Sequence, residues 1–285
     1  MKIVSPLLRV FPSQERKDNL RRIIEEFLLH PTPRVSLWMS LLGHLASLTL
    51  LVPNGRRCMR DLQFQLRQHW DWQGNTKQIQ WTARSQEDLL WWSQEIHLNA
   101  GLSLKVLEPT LVLHTDASDI GWGTSLEQES IARFWTPSQN SRSINWRELK
   151  AIREAVLHFT PLCTSEVVAV YADNSTTISY LKKEGGTKSQ PLNLLAQEIL
   201  QWAEDHNVIL RPQFIPGKKN VIADALSRGD QVIGSEWTLC QEVVDRLVHL
   251  WPSNIDLFAT ALNFRIPAYF SPQTDPQSAG VDAML

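Results

Sequence analysis

Four acidic residues at predicted strand ends and helix starts constrain this chain more than any other feature. Asp116 and Asp173 each follow an apolar segment that is typical of a buried strand. Glu148 lies near the start of a predicted helix, and Asp224 lies in a short helix further along. If the two strands are adjacent and parallel, their carboxyl ends meet at the sheet edge where open α/β sheets place their sites. We therefore expect the four carboxylates to converge.

A converged set of carboxylates would be suited to metal-dependent chemistry on phosphodiesters. Carboxylate oxygens bind hard divalent cations, and two cations about 4 Å apart can clamp the attacking and leaving oxygens. Mutual repulsion of the carboxylates predicts that two Mg²⁺ ions bind there, with Mn²⁺ as the alternative. Each acid taken alone is more often a turn, cap or exposed residue. The prediction therefore depends on all four converging.

The remaining pattern predicts an α/β protein with three segments. Residues 1–108 read as a mostly helical subdomain with helices at about 13–28, 34–51, 57–70 and 85–98. Residues 109–229 give the order strand, strand, strand, helix, strand, helix, helix, strand, helix, which predicts a mixed five-stranded sheet flanked by helices. Residues 230–285 form an acidic tail, predicted to be partly ordered with a helix at about 238–250.

Charge and cysteine content limit the kinds of partner and the cellular compartment that we expect for the protein. The net charge is −2, so no global basic field attracts nucleic acid. Residues 1–110 carry 14 Lys and Arg against 10 Asp and Glu, whereas residues 229–285 carry 2 against 7. The N-terminal part is therefore the better candidate for phosphate contacts. Three widely spaced cysteines predict free thiols in a reducing compartment, and the lack of a secretory or membrane-spanning pattern predicts that the protein is not secreted and has no membrane partner.

The motifs around the four acids resemble a type 1 ribonuclease H domain of a retroelement. They are residues 115–118 (TDAS), 121–123 (GWG), 146–149 (WREL), 171–174 (YADN) and 215–228 (IPGKKNVIADALSR). The resemblance implies a ribonuclease H-like fold for residues 109–229. It also implies metal-dependent endonucleolytic hydrolysis of the RNA strand of RNA–DNA hybrids.

Further motifs are similar to the thumb and connection region of DIRS-like reverse transcriptases. They are residues 41–45 (LLGHL), 59–63 (MRDLQ), 89–92 (LLWW), 185–189 (GGTKS) and 256–260 (DLFAT). The resemblance implies that residues 1–108 are thumb- or connection-like and that the chain is part of a retroelement polyprotein. The chain contains no Asp-Asp dipeptide, the signature that a polymerase palm requires. We therefore expect no DNA synthesis from this chain alone, and the missing polymerase portion is a predicted partner.

The resemblance assigns roles to individual residues. Asp116, Glu148, Asp173 and Asp224 would be both catalytic residues and metal ligands, with Glu148 also contacting the RNA 2′-hydroxyl. The predicted nucleic-acid contacts are Ser118, Asn174, Lys182, Lys183, Lys188, Lys218 and Lys219. For the lysines, a solvated surface is an equal alternative.

Two departures from the family pattern concern histidine. Cellular ribonucleases H usually place a histidine in the loop before the last acid, but residues 217–220 (GKKN) contain none. Phe214 stands where many relatives have histidine. Histidine-assisted proton movement or product release is therefore not expected.

Two other function classes remain open. The chain could be a non-catalytic nucleic-acid-binding or structural remnant of a retroelement. It could also be an integrase or transposase core, although four acids rather than three disfavour this class.

Overall fold

The structure is a computed structural model that describes residues 1–70, 77–228, 239–259, 264–271, 278–281 and 283. The chain divides into two compact units, Met1–Ser227 and Arg228–Leu285. The segments that we predicted as separate domains, 1–108 and 109–229, thus fall in the first unit as far as Ser227, and Arg228 belongs to the second unit. Residues 229 and 230, at the predicted start of the tail, lie outside the described residues.

The N-terminal part of the first unit is mostly helical. Its elements are β1 (Lys2–Val4), β2 (Arg9–Phe11), α1 (Gln14–Leu28), α2 (Val35–Leu48), α3 (Arg60–His69), α4 (Ala83–Ser93), α5 (Glu95–Ala100) and β3 (Leu102–Ser103). The strands form a small antiparallel sheet in the order β1-β2-β3, which the sequence analysis missed because each strand is only two or three residues long. The helix predicted at about 85–98 is two helices, because Gln94 has extended backbone dihedrals.

Aromatic and leucine side chains form the core of this helical part. Phe27 of α1 meets Trp38 of α2 edge to face, with ring centroids 4.9 Å apart. Both rings are fully buried, as is Trp92 of α4. Burial of side chains this large contributes the greater part of the hydrophobic stabilisation of such a core. Their apolar surroundings give Trp38 and Trp92 a structural role.

The rest of the first unit is built on a five-stranded sheet. Its elements are β4 (Leu111–Ala117), β5 (Gly121–Leu126), β6 (Glu129–Phe134), α6 (Pro137–Asn140), α7 (Ile144–His158), α8 (Thr160–Cys163), β7 (Val167–Ala172), α9 (Ser175–Lys182), α10 (Gln190–Asp205), β8 (Ile209–Phe214) and α11 (Val221–Ser227). The strand order is β6-β5-β4-β7-β8, with β4, β7 and β8 parallel and β5 and β6 antiparallel to their neighbours. The predicted mixed sheet is therefore confirmed.

Local sequence explains where each strand lies. The sequence VVAVYA makes β7 almost wholly buried, as expected for a parallel strand covered by helices on both faces. The last strand of this sheet, β8, lies at its edge and contains Pro212, which cannot donate a backbone hydrogen bond.

A glycine on β5 lets α11 approach the sheet. A Cβ at Gly123 would clash with the Cβ of Leu226 and would lie 2.6 Å from the backbone nitrogen of Ser227. Glycine is thus required there so that α11 can lie directly on the sheet.

A polar interface joins the helical part to the sheet part. Arg57 donates to Gln201 over 2.6 Å and forms an ion pair with Glu204, both on α10. The side chain of Arg60 donates to the backbone carbonyls of Lys183 and Glu184, in the loop between α9 and α10. These long-range bonds are the reason why the two parts form one compact unit.

The second unit has little regular structure among its described residues. It contains α12 (Gln241–Leu250) and two short parallel strands, β9 (Phe270–Ser271) and β10 (Gly280–Val281). Tyr269 is buried and stacks on Phe264 with a centroid distance of 4.9 Å. None of the described helices in either unit combines the length and the apolar character that a membrane crossing requires.

Candidate active site

Three of the four predicted acids meet at one edge of the sheet. Asp116 lies near the end of β4, Asp173 follows β7, and Glu148 lies in the first half of α7. Each carboxylate offers an oxygen within 4.8 Å of an oxygen from the other two. The parallel register pairs His114 with Tyr171, so two residues further on the same register brings Asp116 beside Asp173. The convergence of these three side chains is confirmed.

Asp224 lies outside the group of three carboxylates. It is half-buried in α11, one turn before Ser227. Residues three apart lie on the same face of a helix, so Asp224 is on the face that Ser227 turns toward Asp116. The expectation of four converged acids is thus met for three side chains. The fourth side chain, that of Asp224, lies on α11, the helix that Ser227 joins to Asp116.

Glu148 has a strongly perturbed environment. Burial raises the pKa of its carboxyl to about 9, and the neighbouring charges of Asp116 and Asp173 add to that rise. The backbone N–H of Ala117 and the guanidinium of Arg147 oppose it. The Oε2 atom of Glu148 is buried without a hydrogen-bond partner among the described residues. Such an orphaned oxygen is costly unless another group, such as a cation, binds it.

Arg147 fixes the loop beside the three carboxylates. Its guanidinium donates to the carbonyl oxygen of Ser118 over 2.9 Å, to Asn140 over 3.1 Å and to Asp119 over 2.7 Å. The indole of Trp135 donates to the same Ser118 carbonyl over 3.1 Å. Arg147 lies in the motif at residues 146–149, whose pattern indicates no role for it. Its burial and these contacts show a structural one.

The segment before α11 closely approaches the carboxylates from the other side. A Cβ at Gly217 would lie 2.8 Å from Oδ2 of Asp173, so glycine is needed at that position. Asn220 is buried and donates from Nδ2 to the carbonyl oxygen of Thr115 over 2.9 Å. Lys218 and Lys219 lie between these two residues with exposed side chains. Two exposed lysines therefore directly follow the glycine that approaches Asp173.

The predicted nucleic-acid contacts fall into two groups. The hydroxyl of Ser118 donates to the carbonyl oxygen of Ser227 over 2.5 Å and accepts from the N–H of Ile120 over 3.0 Å. Asn174 caps α9 by accepting from the N–H of Thr177 over 3.1 Å. For these two residues the structure shows intramolecular roles. Contact with nucleic acid remains a prediction.

The second group is the five lysines, and all of them are exposed: Lys182, Lys183, Lys188, Lys218 and Lys219. The first three lie at the end of α9 and in the loop between α9 and α10, and the last two directly follow Gly217. Their exposure is compatible with phosphate contacts and with a solvated surface alike.

Two polar residues near the carboxylates were missed as site residues. Asn145 accepts from Nδ2 of Asn174 over 2.9 Å, one turn before Glu148. Ser227 donates to Oδ2 of Asp116 over 2.6 Å. The signal for Ser227 was its spacing three residues after Asp224, within a motif that the sequence analysis quoted. Asn145 carried no comparable signal.

Comparison with known proteins agrees with this geometry. Residues 107–204 match a family model described as the RNase H-like domain found in reverse transcriptase. The match includes Asp116, Glu148 and Asp173 and ends before β8 and Asp224. Together with the strand order, it gives this part of the chain an RNase H-like fold. A search of curated proteins found no match.

Solved structures similar to the chain have low sequence identity. RNase H1 from the halophilic archaeon Halobacterium salinarum is 14% identical, with a TM-score of 0.37, over 42% of this chain and 96% of that one. LC11-RNase H1 in complex with an RNA/DNA hybrid is 17% identical, with a TM-score of 0.37, over 41% and 93%. The foamy viral protease-reverse transcriptase in complex with an RNA/DNA hybrid is 18% identical, with a TM-score of 0.27, over 70% and 27%.

Proposed function

We propose that this protein hydrolyses the RNA strand of RNA–DNA hybrids with the help of divalent cations. The observation that carries the proposal is the group of three carboxylates, in which Glu148 keeps a buried oxygen without a partner. A structural cluster of acids would be expected to pair its buried oxygens with donors. An unpaired oxygen among three carboxylates instead fits a site that holds cations.

The donor set agrees with magnesium, or with manganese as the alternative. All three side chains offer carboxylate oxygens, which hard divalent cations prefer. Asp116, Glu148 and Asp173 would hold the ions, and Asp224 would complete the set from α11. Two bound ions would supply electrostatic stabilisation to the attacking and leaving oxygens of the phosphodiester.

The protein's own residues would do the binding and the positioning. Lys218 and Lys219 would attract the phosphate backbone toward Asp173. Glu148 would accept a hydrogen bond from the RNA 2′-hydroxyl, the group that distinguishes RNA from DNA. The loop lysines Lys182, Lys183 and Lys188 would contact phosphates further along the strand.

The wider context belongs to the same proposal. The family model supports an origin in a reverse transcriptase. We propose that residues 1–108 are its thumb- or connection-like region, with DIRS-like relatives, and that the polymerase portion is a partner. An intracellular location follows from that context and from the free cysteines Cys58, Cys163 and Cys240.

Cleavage of a labelled RNA–DNA hybrid in Mg²⁺ tests the proposal. We expect the wild type to cleave the RNA strand, and Asp116→Asn and Asp173→Asn to lose that activity. Asp205→Asn, which alters an exposed carboxylate at the end of α10, is the matched control and should cleave like the wild type. Equal rates for all four proteins would refute the nuclease function. Cleavage or strand transfer on duplex DNA alone would favour an integrase-like core.

One observation favours a second function, non-catalytic binding of nucleic acid. Asp224 lies outside the group of three carboxylates, so the cation set is incomplete in this conformation. Binding of the hybrid without cleavage at any Mg²⁺ concentration would support that function.

A further inference from the structure

Ser227 links two of the acids that the proposed hydrolysis needs. Its side chain is fully buried, and its Oγ lies 2.6 Å from Oδ2 of Asp116 and 2.9 Å from the backbone carbonyl of Asp224. A hydroxyl has one proton to donate. Of the two acceptors, the Asp116 carboxylate is the nearer, and because it is ionisable it is the stronger acceptor. The proton therefore belongs to the bond with Asp116.

The backbone of Ser227 is held at the same place. Its carbonyl oxygen accepts from the hydroxyl of Ser118 over 2.5 Å. Its nitrogen fits against β5 because Gly123 has no Cβ, which would otherwise lie 2.6 Å away. The C-terminal end of α11 is thus anchored to β4 and β5 by both the backbone and the side chain of one residue. A residue held so firmly can fix the orientation of the group it touches.

We infer that Ser227 is a positioning residue for the cation site. Its hydrogen bond to Oδ2 restrains rotation of the Asp116 carboxylate. The same bond docks α11, and with it Asp224, against the group of three carboxylates. This inference rests on the proposed function, because positioning matters only if the carboxylates bind cations. A partner that orients a metal ligand typically changes metal affinity or activity by about 10- to 100-fold when it is removed.

The Mg²⁺ dependence of hybrid cleavage tests the inference. We expect Ser227→Ala to raise the Mg²⁺ concentration for half-maximal cleavage about tenfold. Ser227→Cys, which is close in size but a weaker donor, should fall between the wild type and Ser227→Ala. Thr124→Val is the matched control. It removes another buried hydroxyl, which donates to the His114 carbonyl over 2.8 Å without touching the acids, and should leave the Mg²⁺ dependence unchanged.

A double-mutant cycle in metal-free buffer provides a readout that is independent of cleavage. We expect the fall in Tm for Ser227→Ala combined with Asp116→Ala to be smaller than the two single effects together, since both remove the same bond. Additive effects, or a Mg²⁺ dependence of Ser227→Ala and Ser227→Cys equal to that of the wild type, would overturn the inference. A wild type that does not cleave would refute the proposed function, while the cycle and the rise of Tm with Mg²⁺ would still decide the role of Ser227.

Discussion

Two clusters of charged side chains in the first compact unit differ in how their charges are paired. At the interface between the helical part and the sheet part, Arg57 is nearly buried, and both of its terminal nitrogens have acceptors on α10. At the sheet edge, the carboxylates of Asp116, Glu148 and Asp173 offer oxygens within 4.8 Å of one another, and Oε2 of Glu148 is buried without a hydrogen-bond partner among the described residues. The interface therefore pairs an acid with a base, whereas the candidate site gathers acids. This difference predicts opposite consequences of mutation.

The largest effect is expected from removing a charge at the candidate site. Glu148→Gln should slow hybrid cleavage about a thousandfold, equivalent to about 4 kcal/mol of activation free energy. In metal-free buffer at neutral pH the same variant should have a higher Tm than the wild type, because a carboxyl with its pKa raised to about 9 must take up a proton on folding, a cost that the amide does not have. Cleavage assays and thermal unfolding measure the two effects. A lower Tm together with unchanged cleavage would show that the carboxylates are structural.

The interface should respond in the opposite way. Arg57→Met is expected to lower the free energy of unfolding by about 3 kcal/mol, because it removes the charge-assisted hydrogen bond to Glu204 and the hydrogen bond to Gln201 that the buried guanidinium donates. Urea unfolding monitored by tryptophan fluorescence measures this change. Arg16→Met on α1, at an exposed position, is the matched control and should change stability by less than about 0.5 kcal/mol. Equal free energies of unfolding for Arg57→Met and Arg16→Met would show that the interface charge contributes no more to stability than an exposed charge.

A third charged position shows how a buried acid is tolerated outside the candidate site. Asp88 of α4 accepts hydrogen bonds from the N–H groups of Asp61 (3.2 Å) and Leu62 (3.4 Å) in the first turn of α3. Burial, and then the charge of Asp61, raise its pKa from 3.8 to about 8.

A raised acid pKa means that the folded state retains the proton more tightly than the unfolded chain. The stabilising contribution is therefore full below about pH 4 and is lost as the pH rises to about 8. Asp88→Asn keeps an acceptor and should flatten this dependence, by about 3 kcal/mol between pH 5 and pH 7. Unfolding free energies across that range measure it. Parallel curves for the two proteins would contradict the assignment.

The smallest effect is expected at the rim of the candidate site. Lys218→Ala should weaken hybrid binding and reduce the salt dependence of log K by about one unit, because one phosphate contact is lost. Lys105→Ala, an exposed lysine before β4, should leave the salt dependence unchanged. Fluorescence anisotropy at several salt concentrations distinguishes the two. Equal slopes would favour the solvated-surface alternative for Lys218.

The sequence predicted the fold of residues 109–227 well because local patterns there agree with long-range pairing. The apolar runs before Asp116 and Asp173 are the two parallel strands β4 and β7. Asp116 and Asp173 could be placed because strand ends fix them, and Glu148 because it lies near the start of a predicted helix.

The parts that could not be predicted depend on single contacts between distant residues. The small sheet β1-β2-β3 rests on strands of two or three residues, too short for a periodic signal. The position of Asp224 depends on how α11 sits on Gly123, which no local pattern encodes. The bonds from Arg57 to α10 cross more than a hundred residues of sequence, and made one compact unit of two predicted domains.

The bond between Ser227 and Asp116 spans 111 residues and involves the last helix of the first unit. During synthesis, β4 leaves the ribosome long before α11 exists, so the candidate site cannot be completed until the unit is nearly finished. In the mature protein, α11 has seven residues, and its local opening would break the hydrogen bonds of Ser227 with Asp116 and Ser118. Local unfolding of this one helix would withdraw Asp224 and Ser227 from the candidate site while the sheet stayed intact.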